Sequence, residues 1–312
     1  MQKGNILNMK KFLCILVSSF IALSAIPVLA EDVDPWALPL DIMSGGYAPD
    51  PACITENGYE DESISVRRET MRYKDVDFIV VWAALKSPTQ LRTVCAGPPN
   101  SSQTALPTRM AKARNAVFAM NGEFYVQRTR DVFIYRQGEM YRNEPDPMKD
   151  ILIIDENSDF HILTSEDKRA EIDAFLAEGH TIVNAFSFGP ALVKDGEMCQ
   201  VREDYFFDGQ SRLARMAIGQ VGPLSYVVAR CKGKEEGIKG FTHQMMAEFM
   251  STLGLQCAYN LDGGWSCVMI MYDKPEESKR GNYKYRYADW TRRDTEREQS
   301  DIIYFATAVK TD

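Results

Sequence analysis

The stretch Cys257-Ala-Tyr-Asn-Leu-Asp-Gly-Gly-Trp-Ser-Cys-Val-Met-Ile-Met271 is two apolar runs parted by one polar segment. The runs alternate in and out as strands do, and Asp262-Gly263-Gly264 breaks the period. A carboxylate therefore stands at a strand end. The glycines beside it leave the backbone bare, so N–H groups from Gly263 to Ser266 can face an anion or oxyanion. Asp-Gly is also the commonest two-residue turn between strands, so a charge-handling site and a plain hairpin stand about even on this segment alone. In the hairpin, Cys257 and Cys267 lie nearly opposite and within disulfide reach.

Working outward, the same grammar recurs. Strands are expected over 77–85, 115–120, 181–186, 214–220, 224–230 and 302–309, with hairpin pieces at 132–136/139–142 and 150–155/160–163. Helices are expected over 106–114, over 167–178 with Ser165 as a cap, and from Thr242 to Gly254, where Met245, Met246, Phe249, Met250 and Leu253 form a core-facing side. Ser87 to Thr104, with Gly97-Pro98-Pro99, reads as a loop. Many strands, about three helices and hairpin connections make an α+β fold. It is a mainly antiparallel sheet or sheets with packed helices, in one globular domain over 76–312. Residues 31–75 read as an extended N-terminal segment laid on the surface.

A chain of 312 residues with 45% hydrophobic content can bury a large core. Its first 30 residues read as a secretory signal: Lys10 and Lys11, an apolar run from Phe12 to Ile26, then Val28-Leu-Ala30 before Glu31. Cleavage after Ala30 predicts an exported protein, secreted or periplasmic, with no stable membrane insertion. Taking Lys3, Lys10 and Lys11 from the 36 basic side chains leaves 33 against 44 acidic, a formal net charge of −11. That sign argues against nucleic acid or an anionic membrane as partner. Six cysteines remain, at 53, 95, 199, 231, 257 and 267, an even number that suggests disulfides without choosing a pairing. His161, His180 and His243 have no ligand at metal spacing, so neither a metal nor another cofactor is expected.

Four segments in order, Ala119-Met-Asn-Gly-Glu-Phe-Tyr125, Phe188-Gly-Pro-Ala-Leu-Val-Lys-Asp-Gly196, Arg215-Met-Ala-Ile-Gly219 and Asn260-Leu-Asp-Gly-Gly-Trp-Ser266, resemble the phosphodiester glycosidase family. The family patterns are approximately N-G-G-F-F, G-P-x-L-V-x-x-G, R-T-A-I-G and N-L-D-G-G-G-S-S. Glu123, Met216, Trp265 and Cys267 depart from them. The resemblance implies hydrolysis of the glycosidic bond in a sugar-1-phosphodiester. That chemistry needs a carboxylate near the sugar and donors near the phosphate. Asp262 and Glu123 are the candidate catalytic carboxylates. Asn121, Arg215, Gly189, Gly263, Gly264 and Ser266 are the candidate substrate-binding positions, with Arg215 and Asp262 at opposite ends of the scissile linkage. Tyr283, Tyr285, Tyr287 and Trp290 suggest a sugar-facing lid. Blander roles stand beside these: Arg215 pairing with Asp262, Asn121 tying a turn, Glu123 solvated. A non-catalytic binding module for phosphosugars or cell-wall glycans is the alternative, and a disulfide-stapled surface protein a third. If Asn121, Arg215 and Asp262 converge, the first two readings survive and the third falls.

Overall fold

A computed structural model describes residues 34–98, 101–123, 132–205, 209–234, 237–273, 285–287 (backbone) and 297–311. The signal segment, Phe124 and Tyr125, and most of the expected lid lie outside the described residues. Three antiparallel sheets carry the fold. The largest has eight strands in the order β1 (Gly58–Glu60), β2 (Ile64–Tyr73), β3 (Val76–Leu85), β14 (Ser225–Cys231), β13 (Arg215–Gly222), β15 (Cys257–Leu261), β11 (Ala191–Lys194) and β12 (Glu197–Met198). A second sheet runs β7 (Glu139–Asn143), β6 (Phe133–Arg136), β10 (Ile182–Phe186), β8 (Ile151–Asp155), β9 (Phe160–Leu163). The third runs β17 (Tyr285–Tyr287), β16 (Met269–Tyr272), β5 (Ala116–Asn121), β18 (Asp301–Ala306), β4 (Leu91–Cys95).

Strand alternation sends one face of each sheet inward. Val81, Ile218 and Tyr259 of the first sheet, Leu152, Ile154 and Phe186 of the second, and Phe118, Met120 and Ile303 of the third share one central core. Each outer face is covered by one helix, and this is why the chain needs all three. Helix α1 (Pro107–Ala113) lays Met110 and Ala111 on the third sheet. Helix α2 (Lys168–Ala177) lays Ile172 and Phe175 on the second. Helix α3 (His243–Ser251) lays Met246, Phe249 and Met250 on the first, with Phe249 stacked on Phe78 at 3.7 Å. Burying each of the Met, Ile and Phe side chains among these is worth about 1.5–3 kcal/mol relative to leaving it in water. Thr242 caps α3 by accepting from the Met245 N–H, as expected, but α2 is capped by Asp167 rather than Ser165.

Three expectations need correction. The segment before Asp77 is extended, but β2 pairs along its whole length with β3 and buries Ile64 and Val66 in the core. The stretch 87–104 contains β4, paired with β18. Most importantly, β15 and β16 do not form a hairpin. β15 pairs with β13 and β11, while β16 pairs with β5 and β17 in another sheet. The Asp262–Val268 connection therefore carries the chain between sheets. Cys257 lies at the far end of β15 from that connection, and Cys257 and Cys267 are both free thiols, as are the other described cysteines. No described helix is long and apolar enough to cross a membrane.

Candidate active site

The four sequence segments meet where β5, β15 and β18 reach the sheet-to-sheet connection. Asn121, the last residue of β5, donates from Nδ2 to the Asp262 carbonyl (2.9 Å) and accepts the Val268 N–H on Oδ1 (3.1 Å). It ties both ends of the connection, the blander of its two sequence readings, and is fully buried. Gly122 follows and sits between strands: its N–H donates to the Asp301 carbonyl and its own carbonyl accepts from Asp262. A Cβ there would stand 2.4 Å from the Asp301 carboxylate, so only glycine fits.

Asp262 is half-buried at the surface end of this arrangement. Burial pushes its carboxyl up to about 6, against the stabilising pull of the Ser266 hydroxyl, the Arg297 guanidinium and the Gly263 N–H. Arg297 in turn donates from Nη1 to Ser266 Oγ (3.2 Å). Trp265, between Asp262 and Ser266 in sequence, is 62% exposed. The expected anion nest does not form. The Gly264 N–H donates to the Ala214 carbonyl and the Ser266 and Cys267 N–H groups close the short turn Gly264–Ser266. Gly263 rests on Ala214 and the stem of Arg215.

Glu123 is not solvated, nor does it face open space. It is 4% exposed, and it shares the Arg136 guanidinium with Asp301. Arg136 Nη2 reaches Glu123 Oε1 at 2.8 Å and Asp301 Oδ2 at 2.6 Å, Nε reaches Asp301 Oδ2 at 2.9 Å, and Nη1 donates to the carbonyls of Tyr135 and Ala185. The Ser187 N–H holds Glu123 Oε2 at 2.7 Å and the Glu123 N–H holds Asp301 Oδ1 at 3.0 Å. Two carboxylates thus face one cation in a dry site. Burial drives Glu123 up to about 7, opposed by Arg136 and reinforced by Asp301, and raises Asp301 as well. Gly122 links the cluster to Asp262, bonding the Asp301 carbonyl on one side and the Asp262 N–H on the other.

Arg215 is 2% exposed and does not pair with Asp262 through any described bond. Nε donates to the Phe241 carbonyl (2.9 Å), Nη1 to His243 Nε2 (2.8 Å) and Nη2 to the Ser211 carbonyl (2.7 Å). Burial and the adjacent guanidinium hold His243 well below the usual imidazole range, so it is neutral and accepts. The fork expected to grip phosphate grips the protein instead. Arg215→Lys, one charge on a point donor, cannot reproduce three divergent bonds. It is expected to lower unfolding free energy by about 1–3 kcal/mol in urea with KM little changed. A raised KM at wild-type stability would return Arg215 to the phosphate. Gly189 is likewise internal: φ is +70°, a Cβ would fall 2.1 Å from the Tyr205 hydroxyl, and its carbonyl accepts from Asn260 Nδ2 at 2.8 Å.

Of the sequence candidates, Asp262 reaches the surface, Ser266 is buried beside it, Asn121, Arg215, Gly189, Gly263 and Gly264 are engaged in the surrounding framework, and Glu123 is buried with Arg136 and Asp301. Asn121 meets Asp262 and the stem of Arg215 meets Gly263, while the described cysteines are free thiols, against the disulfide staple of the third reading. Arg136, Asp301, His243 and Arg297 escaped the sequence reading. The only signal for Arg136 and Asp301 was a charged residue abutting an apolar strand run.

A family model described as phosphodiester glycosidase matches residues 114–306. Among solved structures, the zebrafish N-acetylglucosamine-1-phosphodiester alpha-N-acetylglucosaminidase catalytic domain, auto-inhibited by its pro-peptide, superposes with a TM-score of 0.56 at 16% identity. The match covers 88% of this chain and 99% of that one. A hypothetical protein from Synechocystis matches at TM-score 0.49 and 15% identity, over 78% of this chain and 62% of that one. Comparison with curated proteins gives no match.

Proposed function

The chain belongs to the phosphodiester glycosidase family, and from that premise we propose that it hydrolyses the glycosidic bond of a sugar-1-phosphodiester beside Asp262. The observation that carries the reading is the half-buried Asp262 carboxylate, hydrogen-bonded by Ser266, near Arg297 and next to the exposed Trp265. Cleavage passes through an oxocarbenium-like state as the C1–O bond breaks and its electron pair moves onto phosphate. A departing phosphate is a weak base and needs little protonation, so the demand on the protein is at the anomeric carbon. Ionised Asp262 steadies the positive charge there and takes the proton of the water that adds to C1. The indole of Trp265 offers a flat apolar face to the sugar ring. Arg297 brings positive charge for the phosphate oxygens, the role first assigned to Arg215.

Because Asp262 must be ionised, kcat/KM rises with pH through about 6, the value to which burial brings it. The deciding experiment is release of reducing sugar from an activated sugar-1-phosphodiester by purified protein. Saturable binding of the substrate without turnover would replace the hydrolase by the phosphosugar-binding reading. Arg297 is exposed, so Arg297→Ala is expected to fold normally and to raise KM about tenfold with kcat less affected. An unchanged KM would remove Arg297 from the phosphate side. The signal-like N-terminus supports the further proposal that the enzyme acts after export.

A further inference from the structure

Away from Asp262, the second sheet assembles a set of side chains that sequence spacing hid. Asp155 ends β8, Glu156 follows it, His161 lies on β9 one turn later, and His180 comes just after α2, where Gly179 (φ +93°) turns the chain back. One ligand atom each from Asp155, Glu156 and His180 lies within 4.8 Å of the other two. His161 Nε2 is 3.0 Å from Asp155 Oδ2, His180 Nδ1 is 3.9 Å from that same oxygen, and His180 Nδ1 is 3.7 Å from Glu156 Oε1. Ligands on a tetrahedral zinc ion are separated by about 3.3 Å, given bonds near 2.0–2.1 Å. Within the set of three, His180 Nδ1 stands within about 0.6 Å of that edge from both carboxylates, and His161 hydrogen-bonds Asp155 from outside it.

Each group is also held as a ligand must be. Asp155 Oδ1 accepts the N–H groups of Asn157 and Asp159 (2.9 Å each), leaving Oδ2 to the imidazoles. Glu156 Oε2 accepts the Thr181 N–H (2.7 Å), leaving Oε1 toward His180. Phe175 stacks on His180 at 4.7 Å and meets His161 edge-on at 4.9 Å, setting both ring planes. Behind His180, Nε2 stands 4.0 Å from Glu178 Oε2, where an outer carboxylate would orient a metal-bound imidazole. His180 is about one third exposed and Glu156 is exposed, so an ion can reach the cluster from solvent.

We propose that Asp155, Glu156 and His180 form a binding site for a divalent transition metal, with His161 holding Asp155 Oδ2 from the side and Zn²⁺ suited to one imidazole, two carboxylates and a water in the open position. The site clasps the end of α2 to the β8–β9 turn. It lies at the start of β10, whereas Ser187, which holds Glu123, follows the end of that strand. It is therefore independent of the glycosidase reading.

The test is calorimetric titration of ZnCl₂ into chelator-treated protein. One equivalent is expected to bind at micromolar concentration or tighter, to raise the melting temperature, and to lose affinity tenfold or more in His180→Gln and by less in His161→Gln, which removes only the hydrogen bond to Asp155. Because Asp155 also ties its own turn, these histidine variants are preferred. Their metal-free melting temperatures, expected to match the wild type, report whether they fold. Co²⁺ in place of Zn²⁺ should give the visible absorption of a tetrahedral site, absent in the double histidine variant. No saturable binding, or binding that the folded double variant retains, overturns the proposal.

Discussion

Asp262→Asn is expected to lower kcat on a sugar-1-phosphodiester by about 10²–10⁴-fold, the range of a positioned acid/base group. The amide keeps the shape of the side chain and can still accept from Ser266, so substrate affinity and melting temperature should stay near wild type. What it loses is negative charge at the point where the anomeric carbon becomes positive. The control is built into the pH profile. Wild-type kcat/KM should fall as pH drops through about 6, where the carboxyl takes up its proton. Residual Asp262→Asn activity should show no such limb. A variant that hydrolyses substrate at the wild-type rate would dismiss Asp262 as the reacting carboxylate, whatever its surroundings.

Asp262 was legible because its signal is local: an acid and glycines where an apolar alternation stops. The same local signal misled about topology, since Asp-Gly marks a hairpin only if the flanking strands pair. Here β15 goes on to neighbour β13 and β11 while β16 joins β5. Arg136 could not be matched to its partners for a related reason. Asp301 is 165 positions away, and nothing in either neighbourhood specifies the other. Arg215 shows the limit from another side. An arginine in an apolar strand announces that a partner exists, but not whether it is a substrate oxygen or, as found, two carbonyls and a neutral histidine. β4 was hidden by the Pro-, Gly- and Ser-rich residues around it, and β2 by its charged residues. β2 pairs with β3 over its full length, and apart from Ile64 and Val66 its side chains are not buried.

The largest stability effect should come from Arg136. Arg136→Met removes the cation that Glu123 and Asp301 share, leaving two carboxylates in a site where the side chains are at most 3% exposed. Breaking such a buried network from one side costs about 3–5 kcal/mol at neutral pH. The loss should shrink as pH falls, because protonation neutralises the charges that the arginine no longer balances. The wild type carries a milder form of the same dependence. Glu123 is raised from its ordinary range to about 7, so between those values the folded state holds a proton that the unfolded chain releases. Stability from this group is present below the unfolded value and is lost as pH rises through about 7, with Asp262 adding to the slope at lower pH. Glu123→Gln leaves one carboxylate for one guanidinium and keeps one acceptor oxygen, for either Arg136 or the Ser187 N–H but not both. It should therefore flatten the decline in urea-unfolding free energy between pH 5 and 8, whereas Arg136→Met should steepen it. Equal wild-type stability at both ends of that range, unchanged by Glu123→Gln, would mean that the buried cluster carries no excess proton and that the ionised pair alone describes it.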